Sequence, residues 1–411
     1  MVDRLVGTLV MVTALIPASG PDARAGGQGK PADGVPGPLG SAFVPPPRFA
    51  GDLGAYKSPL VFDDGRPVRD AAGWRRRREE ILATWHGIMG AWPRPIERPQ
   101  VEILGTERRE SFERRRVRVE IAPGRTTDGY LLVPDGRGPF PAMLVVYYEP
   151  ETAIGRGKGQ RDFALQLARR GFVALSIGLD PLRLDPAGAG IEVQPLSYLA
   201  YVSANLHNAL ARMPEVDPRR IGVMGHSYGG KWAMFASCLD ERFACAAWSD
   251  PGVVFDESRT SVNYWEPWYL GTEPGRARKR GLLTPEYPRI GAYKRLVEGG
   301  HDLHELHALM APRPFLVSGG SEDPPERWRA LNHAVAVNKM LGYEGRVAMT
   351  NRPGHDPTPE SNEQIYLFLE FVLKPGGGGD RLGRPPGSCP ASCRTWPSTP
   401  GSVRMIKPAG A

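Results

Sequence analysis

The sequence predicts an α/β protein in which a mostly parallel, doubly wound sheet carries helices on both faces. Three observations lead there. Continuous apolar runs of strand length, among them Ala142–Tyr148, Phe172–Ser176 and Phe243–Trp248, alternate with helical patterns, and a strand that is apolar on both sides belongs between two layers. One apolar run ends in Gly225-His226-Ser227-Tyr228-Gly229, and a helical stretch of small and apolar residues starts at once. From Asp250 to Met310 the alternation is interrupted by a segment rich in Arg, Pro and aromatic residues, which predicts an insertion over the carboxyl ends of the strands.

Taken in order, Arg4 precedes an apolar run from Leu5 to Ile16, and Ala23-Arg24-Ala25 offers a small-x-small cleavage site. That is the pattern of a secretory signal over 1–25, and the run is too short to span a bilayer. Residues 26–50, rich in Gly, Pro and Ala, predict a linker. Trp74, Ile81, Leu82, Trp85, Ile88 and Met89 recur at helical spacing, with Pro93 and Pro95 as the stop. Trp85 and Trp92 belong to the packing of that helix. Val101–Leu104, Arg115–Ile121 and Gly129–Val133 predict an antiparallel entry ribbon.

The α/β alternation then runs through a helix at Asp162–Arg170, a helix at Leu196–Met213 and a strand at Ile221–Met224. It resumes after the insertion with strands at Phe315–Ser318 and Arg346–Met349, a helix at Arg327–Leu341 and a closing helix at Glu360–Leu373. Residues 51–374 are thus expected to form the folded domain, with a cap-like insertion at about 250–310. Residues 375–411 hold Gly376 to Gly379, repeated Pro and no periodicity, and are expected to be disordered.

Composition excludes some partners. The formal charge is +7, but residues 375–411 carry five Lys/Arg against one Asp and residues 1–40 balance at zero. The remainder is close to neutral and does not predict nucleic-acid binding. No membrane contact is expected once the signal is cleaved. Cys238 and Cys245 bracket a helix-to-strand turn and fit either a disulfide or two buried thiols. Cys389 and Cys393 form a CxxxC pair in the tail, poor evidence for metal.

The strand–turn–helix around Ser227 has the form of a nucleophile elbow, in which glycines two residues either side leave room for a sharply turned serine. A serine hydroxyl needs a base. His355, in the loop before the last helix, stands in the expected place. The base needs a carboxylate to hold its tautomer. Asp323, followed by Pro324 after strand Phe315–Ser318, is preferred, Glu322 is the alternative, and Asp250 after strand Phe243–Trp248 is a third. The order Ser227, Asp323, His355 is the Ser…Asp…His order of such sheets. Oxyanion donors are expected from the Tyr228 amide at the helix start and, by position alone, from the loop at Tyr148 and Glu149.

The segments Arg220–Gly230, Ser249-Asp250-Pro251-Gly252, His304–Pro314 and Gly319–Trp328 resemble the α/β-hydrolase superfamily. Within it they are similar to the dienelactone-hydrolase and acetylxylan-esterase-like branch, including glucuronoyl-esterase-like enzymes. The resemblance covers roughly Gly73 to Lys374. It implies a secreted serine hydrolase of carboxylic, often carbohydrate-linked, esters, acting through an acyl-enzyme without metal or organic cofactor. One departure stands out. The usual His-Gly before the acid is replaced by Gly319-Gly320, which leaves the choice between Glu322 and Asp323 open. A prolyl-oligopeptidase-like peptidase shares the triad order. The chain before Ala142 contains no repeat from which that group's propeller would be built.

Four further residues are candidate substrate contacts. They are His226 beside the nucleophile, Trp265 and Trp268 as a sugar-stacking platform or as core, and His304. His301, His304 and His307 spread over too wide a helical arc to share one metal. No metal site is expected.

Overall fold

The computed structural model describes residues 35–276 and 279–374. The expected signal, the first part of the expected linker and the tail with Cys389 and Cys393 lie outside the described residues.

Helix α1 (Ala71–Met89) is capped by Asp70, whose carboxylate accepts the Gly73 amide, and its buried face is Trp74, Ile81, Trp85 and Met89. The ribbon follows as β1 (Val101–Arg108), β2 (Phe112–Ala122) and β3 (Arg125–Pro134). Then come β4 (Phe140–Tyr147), α2 (Phe163–Arg169), β5 (Val173–Gly178), α3 (Pro195–Ala211), β6 (Val216–His226), α4 (Tyr228–Leu239) and β7 (Cys245–Ser249). After the insertion, which contains α5 (Gly291–Glu298) and α6 (His304–Leu309), the chain adds β8 (Phe315–Gly319), α7 (Trp328–Met340), β9 (Val347–Asn351) and α8 (Pro359–Leu373).

The nine strands form one sheet in the order β1-β2-β3-β5-β4-β6-β7-β8-β9. Pairing is antiparallel from β1 through β3 to β5 and parallel from β5 onward. The apolar cores lie on the two faces, one around Trp232, Phe235 and Trp248, the other around Met143, Phe163, Leu316 and Phe368. The central strands are buried throughout because both faces are covered, so they read as unbroken apolar runs rather than as alternations.

One expectation needs revision, and two alternatives left open by the sequence are decided. Residues 35–50 are packed rather than extended linker. Two short 3-10 turns bring Leu39, Ala42 and Phe49 into buried positions, and the Met349 amide donates to the Ala42 carbonyl at 2.8 Å. Their prolines set the turns, and the few apolar residues between them supply the anchors. Cys238 and Cys245 are both buried thiols, raised by that burial, and form no disulfide. Tyr264, Trp265 and Tyr269 are the insertion's own core, with Trp265 fully buried and its Nε1 donating to the Gly281 carbonyl. Where the insertion meets the sheet it does so at the carboxyl edge, Tyr269 lying 6.2 Å from Tyr228, ring centre to ring centre.

Candidate active site

The carboxyl ends of β6, β7, β8 and β9 converge on one spot because they are neighbours in the sheet. At the end of β6 the chain turns through Ser227, whose φ of 57° and ψ of −116° lie outside the regions a side chain prefers. The turn is held from two sides. The Ser227 amide donates to the Ser249 carbonyl at 2.8 Å, and the Lys231 amide returns to the Ser227 carbonyl. A Cβ on Gly225 would sit 2.3 Å from the Gly229 carbonyl oxygen, and one on Gly229 would sit 2.1 Å from the Val146 carbonyl oxygen. Glycine at both positions is therefore what lets α4 start directly against β4 and β6.

Ser227 Oγ lies 2.9 Å from His355 Nε2, and His355 Nδ1 lies 2.7 Å from Asp250 Oδ2. Asp250 is fully buried, whereas the His355 side chain keeps a third of its surface open, so the ring is sealed on its acid side and reachable at Nε2. The carboxylate that meets His355 is Asp250, not Asp323 or Glu322. Asp323, also fully buried, turns the other way and accepts the Gly252 and Val253 amides at 2.8 and 2.6 Å. Glu322 accepts from its neighbour Ser321 and donates only its backbone amide to Asp250. The physical reason is strand adjacency. β7 stands next to β6, so the first residue after β7 is brought under His355, and its left-handed φ of 50° aims the carboxyl group there. That backbone state is one Asp tolerates better than most residues. The sequence signal was the Asp directly after the strand in Ser249-Asp250-Pro251-Gly252.

The loop after β4 runs beside the elbow. Tyr148, 39% exposed, stacks over Tyr228 at 4.6 Å, and its phenol is pushed up to about 12 by burial. Glu149 accepts from Thr152 Oγ1, and the Pro150 carbonyl accepts from Ser176 Oγ at 2.8 Å, which ties the loop to β5. The Tyr228 side chain is buried and its hydroxyl donates to the Leu179 carbonyl. As the first residue of α4, Tyr228 has an amide with no carbonyl one turn back to bond.

The expected substrate contacts divide. His226 is buried, with Nδ1 3.1 Å from Ser249 Oγ and its ring 4.8 Å from that of His355. Burial, then the charges of His355 and Arg161, lower it well below the usual imidazole range, so it is a neutral wall behind the base rather than an open contact. Trp265 belongs to the insertion core, as above. His304 is buried with Nε2 2.7 Å from the Lys57 carbonyl, and its ring packs against those of Tyr56 and His333. It ties the amino-terminal segment to α6 and does not line the site. Trp268 is half-buried with the Arg280 guanidinium 5.8 Å from its ring centre, so it alone of the four is not fully buried. Among the described residues no group of His, Cys, Asp and Glu is arranged to hold a metal ion.

Three buried cations near the site escaped sequence reasoning. Lys231 donates to the Pro251 and Ser261 carbonyls and lies over the Tyr264 ring, with burial lowering it to about 8. Arg161 donates to Asp356 Oδ1 at 2.6 Å and lies 3.5 Å from His226 Nε2. Arg352 donates to the Ser318 carbonyl at the end of β8 and to the His355 carbonyl.

The prolyl oligopeptidase family model matches residues 204–324. A carbohydrate esterase, MZ0003, from an unknown prokaryotic organism is 27% identical over 175 residues, or 39% of this chain and 35% of that protein. The match thus spans about a third of that relative's length. A 4-O-methyl-glucuronoyl methylesterase of Schizophyllum commune is 26% identical over 318 residues, covering 73% of this chain and 77% of that one. The solved glucuronoyl esterase from Solibacter usitatus superposes with a TM-score of 0.60 at 20% identity, over 78% of this chain and 98% of that one.

Proposed function

We propose that this chain, which has the α/β-hydrolase fold and whose likeness runs to its glucuronoyl-esterase-like branch, is a serine hydrolase of carbohydrate-linked carboxylic esters. The observation that carries the reading is the unbroken line of contacts from Asp250 through His355 to Ser227.

His355 Nε2 takes the proton as Ser227 Oγ bonds to the ester carbonyl carbon, and the carbonyl oxygen becomes an oxyanion. The Tyr228 amide, at the positive end of α4, is one donor to it, and an amide of the 148–149 loop is the other. His355 then returns the proton to the departing alkoxide. Water, deprotonated by the same nitrogen, attacks the acyl-enzyme, and the carboxylic acid leaves as Ser227 regains its proton. Asp250 holds Nδ1–H throughout. The curated relatives named as carbohydrate and glucuronoyl esterases support a sugar-bearing ester, and the half-open Trp268 offers a flat face to a pyranose ring. Export by the amino-terminal signal is part of the same reading. Among the described residues no helix is long and apolar enough to cross a membrane.

A peptidase reading is favoured by the prolyl oligopeptidase family match. A screen across methyl glucuronate esters, acetylated xylan, aryl esters and proline amides separates the two. We expect ester turnover that falls roughly 10⁴-fold or more in kcat in Ser227→Ala, and labelling of Ser227 by a fluorophosphonate. Turnover of proline amides alone would replace the esterase reading. An active Ser227→Ala would overturn the nucleophile.

A further inference from the structure

Arg352 follows β9 and precedes the base by three residues, yet it points away from solvent and is only 7% exposed. Burying a guanidinium is costly unless each face of its fork meets an acceptor, and here the acceptors come from three directions. Nε donates to the Asp356 carbonyl at 2.9 Å and Nη2 to the His355 carbonyl at 2.6 Å. Nη1 donates to the Ser318 carbonyl at 2.9 Å and its hydroxyl at 3.1 Å, and reaches the Gly319 carbonyl at 3.4 Å. Nη2 also reaches Ser249 Oγ at 3.4 Å, the hydroxyl next in sequence to Asp250. The Arg352 backbone amide adds a bond to the Gly319 carbonyl at 3.0 Å.

One planar group therefore grips the base loop by two carbonyls, the end of β8 by two more, and the last side chain of β7. We propose that Arg352 is a positioning residue that sets His355 against Asp250 and Ser227, and does so by geometry that only a guanidinium provides. A lysine ammonium is a point donor and cannot span six oxygens supplied by three separate segments. The proposal rests on the esterase reading above for its kinetic arm but not for its spectroscopic one.

The test compares Arg352→Lys and Arg352→Met with wild type on p-nitrophenyl acetate, with circular dichroism as the check of folding. We expect kcat to fall about 10²-fold in both with KM within threefold, since misplacing a base acts on the reacting step and not on binding. The low-field imidazole N–H resonance, assigned by its loss in His355→Gln, should disappear or shift in both. Should Arg352→Met not fold, Arg352→Gln carries the same comparison. An unchanged resonance would reduce Arg352 to a brace of the fold and overturn the proposal, whatever happens to stability. Wild-type kcat in both variants would overturn it as well. If wild type hydrolyses no ester while the resonance still depends on Arg352, the functional reading fails and the positioning one stands.

Discussion

Asp250 and Asp323 each hold the other's loop. The Asp250 carboxylate accepts the Gly320 amide at 2.6 Å and the Asp323 amide at 2.9 Å, while the Asp323 carboxylate accepts the Gly252 and Val253 amides. Two carboxylates at the ends of adjacent strands thus carry different work. One faces the base and the other faces backbone.

The division predicts unlike variants. Asp250→Asn should lose about 10⁴-fold in kcat, as removal of the tautomer-fixing charge does. Asp323→Asn should keep kcat within tenfold and lower the melting temperature instead, because two buried amides trade a charged acceptor for a neutral one. Glu322→Gln should change neither. Parallel kinetics and thermal melts check all three, and a larger kcat loss in Asp323→Asn than in Asp250→Asn would reverse the roles.

The same pair predicts a pH dependence of stability. Burial, and then the charge of Asp250, push the Asp323 carboxyl up to about 6 from 3.8. The folded protein therefore holds a proton on Asp323 that the unfolded chain has lost, over the window between those two values. Stability contributed there falls as pH rises through the folded value, and the loss is complete about one pH unit above it. Asp323→Asn has no such proton. Urea midpoints taken from about pH 4 to about pH 7 should show wild type losing ground to the variant across that window. Parallel curves would contradict the assignment.

Gly178, the last residue of β5, abuts the loop after β4. A Cβ there would lie 2.2 Å from Glu149 Cα and 2.4 Å from its carbonyl carbon. Gly178→Ala should push the 148–151 loop outward, leave the Ser227–His355 contact in place, and cost roughly 10²-fold in kcat. Fluorophosphonate labelling of Ser227 should persist. Wild-type kcat in the variant would mean that this loop donates nothing to the oxyanion.

Much of this molecule was legible in residue order because the signals are local. Apolar runs bounded by helical patterns foretold the parallel sheet, since a strand buried on both faces needs no partner in view to declare itself. Ser227 was legible because its turn demands Gly225 and Gly229 within four residues, and His355 because a loop histidine before the last helix stood in the right order. Asp250 was only one of three carboxylates the sequence allowed. Choosing among them depends on which strand lies beside β6 and on the backbone angle of a single residue after β7, and neither leaves a periodic trace. His304, Trp265 and His226 misled for a related reason, as side chains able to bind a substrate are equally able to fill a core, and burial is decided by what packs over them. Residue order therefore determined the fold and which serine and histidine meet. Tertiary structure decided which acid orients the histidine, and it brought Arg352 from a loop to the centre of three strand ends, because distances between remote carbonyls exist only once the sheet has formed.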